Sequence, residues 1–341
     1  MMLSRKAGAL VATAAFALVL AGCSGGSTDT TDTDTGAAGD GAFPVTISSS
    51  LGDAVIESAP TRVATWGWGA TDAVLALGIV PVAIPSDDYS GGDDRISPWV
   101  EDALDELGGE APTILDSTAT EISVEELLAT DPDVLIAPYS GLTQEEFDAV
   151  TEAGIPVIAY TGEPWTTPWR DVVSLTGEAL GLETEAADIL TDLDAQVAEA
   201  AAAHPEFEGT TIATPTDFAG TWYLYLPADP RVAILEDLGF VSPPSVTDLD
   251  TGESAFSTTV SPENLDQIDA EVVLTFVDEG AEEAFLSSTT AQLIPAVKNG
   301  AVAAFVNGPE VSALTPTPLT LPWILPTMIE KLAAATAAAQ G

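Results

Sequence analysis

WRDVVSLTGEALGLETEAADILTDLDAQVAEAAAAHP, residues 169–205, decides how the chain is arranged. From Trp169 to Ala203 it reads as helix throughout. Gly181 marks a break, and Pro205 ends the run because a proline ring cannot continue a helix. The part from Thr184 to Ala203 is about 30 Å long if straight. On either side, short apolar runs alternate with helical segments, which implies a mainly parallel sheet covered by helices. Upstream the runs are Val63 to Thr65, Val80 to Ile84, Val134 to Ala137 and Val157 to Tyr160, with helices expected over Ala70–Leu77, Val100–Leu107, Val124–Ala129 and Gln144–Ala153. A hairpin around Leu51-Gly52-Asp53 precedes them. Downstream the runs are Thr211 to Thr214, Trp222 to Leu226, Val272 to Phe276 and Val302 to Val306. Helices are expected over Val232–Leu238, Pro262–Gln267 and Leu319–Ala339. The expected fold is α/β: lobes over 43–180 and 206–341, bridged by one long helix over 181–205.

Composition narrows the function. The 341 residues hold 8 Lys+Arg against 54 Asp+Glu, a formal net charge of −46, with one His and one Cys. Such a charge repels phosphate backbones and argues against nucleic-acid binding. One Cys and one His cannot build an internal disulfide or a zinc site of several Cys and His. Yet 46% of residues are hydrophobic and only 18% charged, so the chain can bury substantial cores.

Residues 1–22 carry Arg5 and Lys6 and then an uncharged apolar run, the layout of a secretory signal. The run ends in Leu20-Ala21-Gly22-Cys23. This resembles the lipobox of bacterial lipoproteins, in which the cysteine thiol receives a diacylglycerol and becomes the first residue. Removal of 1–22 takes away two basic residues and no acid. It leaves 6 basic residues against 54 acids, a net charge of −48. Residues 23–42 follow as a lipid-anchored leash of Ser, Thr, Asp, Gly and Ala after Cys23. The expectation is a secreted protein held on the outer face of the cell membrane.

Several pieces together resemble the iron-siderophore substrate-binding lipoproteins of ABC importers, especially those of high-GC Gram-positive bacteria. They are Pro60-Thr61-Arg62-Val63 leading into TWGWGATDAVLALGIVPVAIP, then ATDPDVLIAPYSGLTQEEFD, GEPWTTPW, YLPADPRVAILEDLGF and LPWILP. The resemblance covers essentially the whole mature chain. It implies two Rossmann-like lobes joined by a rigid helix (the class III substrate-binding architecture), a ferric siderophore held between them, and only small hinge movement. It also implies a monomer that serves an ABC permease and its ATPase, with no catalysis, no cofactor and no metal ligands of its own.

Ligands of open α/β sheets sit beyond the carboxyl ends of the strands. Trp66 and Trp68 follow the strand at Val63, and as i and i+2 they can share a face. Tyr139 follows Val134, and Trp165 follows Val157. Tyr223 and Tyr225 alternate with Trp222. An aromatic cleft suits a large, partly planar chelate, although each aromatic also reads as packing, the favoured reading for Trp99, Tyr160, Trp222 and Trp323. Tyr89 and Arg95 share a loop that can overhang the cleft. By the resemblance Arg231 faces the chelate, where a guanidinium bonds hydroxamate or carboxylate oxygens. Pairing with Asp229 or Glu236 is its alternative. The scarcity of basic residues favours a neutral or cationic hydroxamate over an anionic catecholate. The resemblance further assigns Glu125 and Glu263, each early in a helix before a strand, to docking on the permease. Helix-dipole stabilisation explains them equally well. Haem or cobalamin carriage on the same fold is the alternative ligand reading. A secreted carboxylate hydrolase is the remote one, since no motif marks a carboxylate pair as catalytic and no G-x-S-x-G elbow occurs.

Overall fold

The computed structural model describes residues 43–116 and 121–341. The signal segment 1–22, Cys23 and the leash to residue 42 lie outside the described residues. No helix among the described residues is long and apolar enough to cross a membrane.

β1 (Val45–Ser48) and β2 (Asp53–Ile56) form the antiparallel hairpin expected around Gly52. The first lobe is then built on five parallel strands: β3 (Val63–Thr65), β4 (Ala83–Pro85), β5 (Thr113–Leu115), β6 (Val134–Ile136) and β7 (Val157–Ile158), in the order β5-β4-β3-β6-β7. Every residue of β3, β6 and β7 is buried. That is why these strands read as unbroken apolar runs rather than alternating ones. The crossovers carry α1 (Ala70–Ala76), α2 (Pro98–Leu107), α3 (Val124–Ala129) and α4 (Gln144–Glu152). α4 begins at a capping box, with the Thr143 hydroxyl accepting from the Glu146 amide while the Glu146 carboxylate accepts from the Thr143 amide.

α5 (Trp169–Leu180) ends at Gly181, which adopts a left-handed φ of 69°. α6 (Glu183–Ala203) is the bridging helix. Ala186, Leu193 and Val197 are buried along it, with Ile189, Leu190 and Ala200 partly buried beside them. This spacing lays one apolar stripe along a helix that is otherwise acidic.

The second lobe departs from the mainly parallel expectation. β8 (Ile212–Ala213), β12 (Val272–Val277) and β13 (Val302–Val306) are parallel. β9 (Pro215–Phe218), β10 (Thr221–Tyr225) and β11 (Ser257–Val260) form an antiparallel sheet. The turn between β9 and β10 is Ala219-Gly220, both with positive φ (53° and 90°). That matches the sense of turn that right-twisted hairpins need. The remaining helices are α7 (Pro230–Asp237), α8 (Pro244–Asp248), α9 (Glu282–Ser287), α10 (Pro295–Lys298), α11 (Pro309–Ala313) and the terminal α12 (Thr320–Gln340).

The lobes share one device at the amino ends of their strands. Asp133 accepts from the Thr61 amide at 2.7 Å and the Arg62 amide at 3.0 Å. Glu271 accepts from the Thr211 amide at 2.9 Å. In each case an acid before one strand fastens the start of the neighbouring strand. One apolar cluster also runs from Leu75 and Trp99 through Trp169, Leu193 and Val197 to Phe207, Leu274 and Phe305. The bridging helix therefore sits in a core common to both lobes.

Candidate functional site

The strand order of the first sheet reverses between β3 and β6, the switch point beyond which α/β sheets bind ligands. Two loops meet there. The Trp66 amide donates to the Ile136 carbonyl at 3.0 Å, and the Trp68 amide to the Tyr139 carbonyl at 2.8 Å. Between them Gly67 has φ +82°, and a Cβ on it would stand 2.5 Å from the Tyr139 carbonyl oxygen. Only glycine permits both the conformation and the approach. That left-handed residue also corrects the expectation that Trp66 and Trp68 lie on one strand face. The chain turns, sending Trp66 into the core at 1% exposure and leaving Trp68 half-buried. Both still line a cavity of about 280 Å³ together with Tyr89 and Trp165.

Trp165 is held unusually. Its own φ is +63°, its amide donates to the Ser140 carbonyl at 3.2 Å, and its ring lies edge-on to Tyr139 at 5.8 Å and tilted on Trp66 at 6.4 Å. A left-handed tryptophan costs of the order of 1 kcal/mol. The Gly141 backbone makes room for it, since a Cβ at Gly141 would lie 2.6 Å from the indole nitrogen. The structure thus brings Trp66, Tyr139 and Trp165 together and holds them by backbone contacts.

The second lobe contributes charge. Asp229 is fully buried at the start of α7, where it accepts from the Arg231 amide. The Arg231 guanidinium returns to the same carboxylate at 2.8 and 2.6 Å and lies 3.9 Å over the Tyr225 ring. Burial opposes the guanidinium charge, but Asp229 outweighs it and holds the group ionised. Pairing with Asp229 is thus realised, and the guanidinium lies near enough to Tyr139 and Tyr89 for its charge to act on both. Across the cleft the Tyr139 phenol is pushed well above its ordinary range, mainly by burial, with the Asp229 charge adding to it. It stays protonated and available as a donor. A small hollow lined by Trp68, Tyr139, Trp169, Pro230 and Thr317 joins the two sides.

Tyr89 spans the mouth. It is 50% exposed, yet its hydroxyl donates to Asn307 Oδ1 in the other lobe at 2.8 Å. Asn307 in turn donates to Asp278 at 2.6 Å. The loop bearing Tyr89 is pinned by Arg95, which pairs with Asp88 and Asp116. Arg95 is thus a loop brace. Tyr223 packs edge-on against Phe218 on the β9–β10 hairpin, while Tyr225 lies beneath the Arg231 guanidinium; neither lines either cavity.

Glu125 in α3 and Glu263 in the short 3-10 helix Pro262–Gln267 are both exposed. Arg170 joins α5 to Asp194 of the bridging helix at 2.7 Å and to Asp237 of α7 at 2.9 Å. His204 pairs with Glu206 and stacks on Phe207 at the end of the bridging helix.

Three contributors escape sequence reasoning. Asn307 follows β13, and nothing around it in the sequence singles it out. Trp99, expected only to pack, is 6% exposed but also lines the larger cavity. Asp72 of α1 lines it too, is 6% exposed, and has its carboxyl pushed up to about 7 by burial against hydrogen bonds from Thr317 and Trp99. Its one sequence signal is an acid inside the apolar stretch Ala70 to Leu77.

The profile of the periplasmic binding protein family matches residues 63–305. The chain belongs to this family. Among solved structures, Streptococcus pneumoniae PiaA in complex with ferrichrome is 32% identical with a TM-score of 0.79, over 86% of this chain and 99% of that one. Staphylococcus aureus SirA complexed with staphyloferrin B (21%, TM-score 0.66, 84% and 98% covered) and S. aureus FhuD2 with bound ferrioxamine B (19%, 0.62, 81% and 100%) share the fold. Curated protein sequences contain no match. The two Rossmann-like lobes and bridging helix are the class III architecture of this family, and the chain is a binding protein rather than an enzyme.

Proposed function

We propose that this binding protein is the extracellular, lipid-anchored receptor of an ABC importer and captures a ferric siderophore between its lobes. The observation that carries this reading is the cleft itself: Trp68, Trp165, Tyr139 and Tyr225 flank the switch point, with one neutralised arginine among them. Likeness to a ferrichrome-binding PiaA over nearly all of that protein supports it. Aromatic faces grip the organic shell of the chelate, while Arg231 and the Tyr139 hydroxyl donate to its peripheral oxygens. Iron is cargo, held by the siderophore; the protein needs no cofactor. Because Asp229 balances Arg231, the cleft has little positive charge for an anionic catecholate, and a hydroxamate is the favoured class.

Delivery follows without chemistry. A monomer tethered through Cys23 reaches the permease and docks through Glu125 and Glu263, and the ATPase drives release. The test is tryptophan-fluorescence titration against ferrioxamine, ferrichrome, ferric citrate, a ferric tris-catecholate, haem and cobalamin. Quenching by the hydroxamates is expected. Tight binding of the catecholate, haem or cobalamin with the hydroxamates ignored would overturn the reading.

A further inference from the structure

The larger cavity extends beyond the open face of the cleft. Trp68, Tyr89 and Trp165 form its accessible side, while Asp72, Ile84, Trp99 and Val100, all at most 6% exposed, form its inner wall. None of its lining residues is basic, and three are acids: Asp72, Asp87 and Asp88. Two of these are occupied. Asp87 accepts from the amides of Tyr89 and Ser90 and from the Ser90 hydroxyl, and Asp88 pairs with Arg95. Asp72 differs, because its Oδ1 is buried and has no hydrogen-bond partner.

A buried carboxylate with an unfilled acceptor site, in a cavity lined by no basic residue, is costly to the folded protein. A ligand cation relieves that cost. The indoles of Trp66 and Trp99 in the same wall offer a further cation-favouring surface. We propose that this inner cavity is a subsite for a protonated amine on a pendant arm of the chelate, with Asp72 as the residue that selects it. This deepens the siderophore reading and rests on it. The iron centre stays between the lobes, and the arm enters past Trp68 toward α1.

The experiment compares two ligands with one iron centre: ferrioxamine B, which ends in a free ammonium group, and its N-acetylated derivative. Each is titrated into the wild-type protein and into Asp72→Asn. The wild type is expected to bind the amine form at least about tenfold more tightly, the range of a charge-assisted hydrogen bond. In Asp72→Asn the difference is expected to collapse because the amine form loses affinity. Equal wild-type affinities overturn the proposal without recourse to any variant, as does a preference that survives in Asp72→Asn. If neither chelate binds, the siderophore reading falls and this proposal with it. If both bind equally, only this proposal falls.

Discussion

The two lobes hold their halves of the cleft by different means. In the first, position is set by backbone and shape: Gly67 and Gly141 let two loops and an indole approach closely. In the second, position is set by electrostatics: Asp229 caps α7 and clamps Arg231 flat against Tyr225. At the opposite ends of the strands the lobes use the same acid-to-threonine fastening, Asp133 to Thr61 and Glu271 to Thr211. Similar scaffolds therefore present unlike surfaces to the cleft, one set by close backbone approach and the other by a charge pair.

The hardest test of that contrast is Arg231→Ala. It strands the buried Asp229 carboxylate, and urea denaturation should show a loss of about 3–5 kcal/mol, the range for breaking a buried pair from one side. Unchanged stability would show that the second lobe does not depend on its charge pair. The first lobe has its own buried acid, which sharpens the comparison. Between the ordinary value of 3.8 and about 7, the folded protein retains the Asp72 proton that the unfolded chain releases. Stability from this group therefore falls as pH rises from about 4 to about 7 and stays low above. Asp72→Asn should be more stable than wild type by up to roughly 4 kcal/mol at pH 8, with the gain vanishing below pH 4. Thermal melts at several pH values measure it, and a pH-independent difference contradicts it.

Gly141→Ala tests the shape side. Its Cβ displaces the Trp165 indole without needing a left-handed backbone, so the fold should survive at a cost of about 1–3 kcal/mol. Ferric hydroxamate affinity should fall about tenfold by tryptophan quenching. Tyr89→Phe removes the one hydroxyl that reaches Asn307 across the mouth. Ligand dissociation should quicken about fivefold by stopped flow, with little change in melting temperature. Least visible in the purified protein is the double change Glu125→Ala, Glu263→Ala. Affinity and melting temperature should stay as in wild type, while iron uptake in cells is lost.

How much of this the sequence discloses depends on the range of the interaction. The helix break at Gly181 and the stop at Pro205 are local, and both are seen in the structure. Strands β3, β6 and β7 are buried on both faces and so announce themselves as apolar runs. The β9–β10 hairpin does not, because its turn places Ala219 where asparagine or glycine would be the usual signal. β5 is three residues long and lies among polar neighbours. In the site, aromatics after strand ends are legible, since strand direction puts them there. Asp72 is not. In the first turn of α1 it reads as a dipole-complementing acid, and only the packing of α2 and the loop at Thr317 buries it. Tyr89 is legible as a loop aromatic, whereas its partner Asn307 is 218 residues away.

The Arg231–Asp229 pair has a kinetic consequence. To a ligand still in solution it presents a dipole, so it contributes little to the field that guides approach. That field is set by a chain whose formal charge is −48 once residues 1–22 are removed. Added salt should then slow the arrival of a cationic chelate, leave a neutral one unaffected and hasten an anionic one, over the roughly 10 Å screening length of 0.1 M salt. The ionic-strength slope of the association rate thus counts the charge on the cargo. An acidic exterior around a neutralised cleft sorts ligands by how fast they arrive as well as by how tightly they are held.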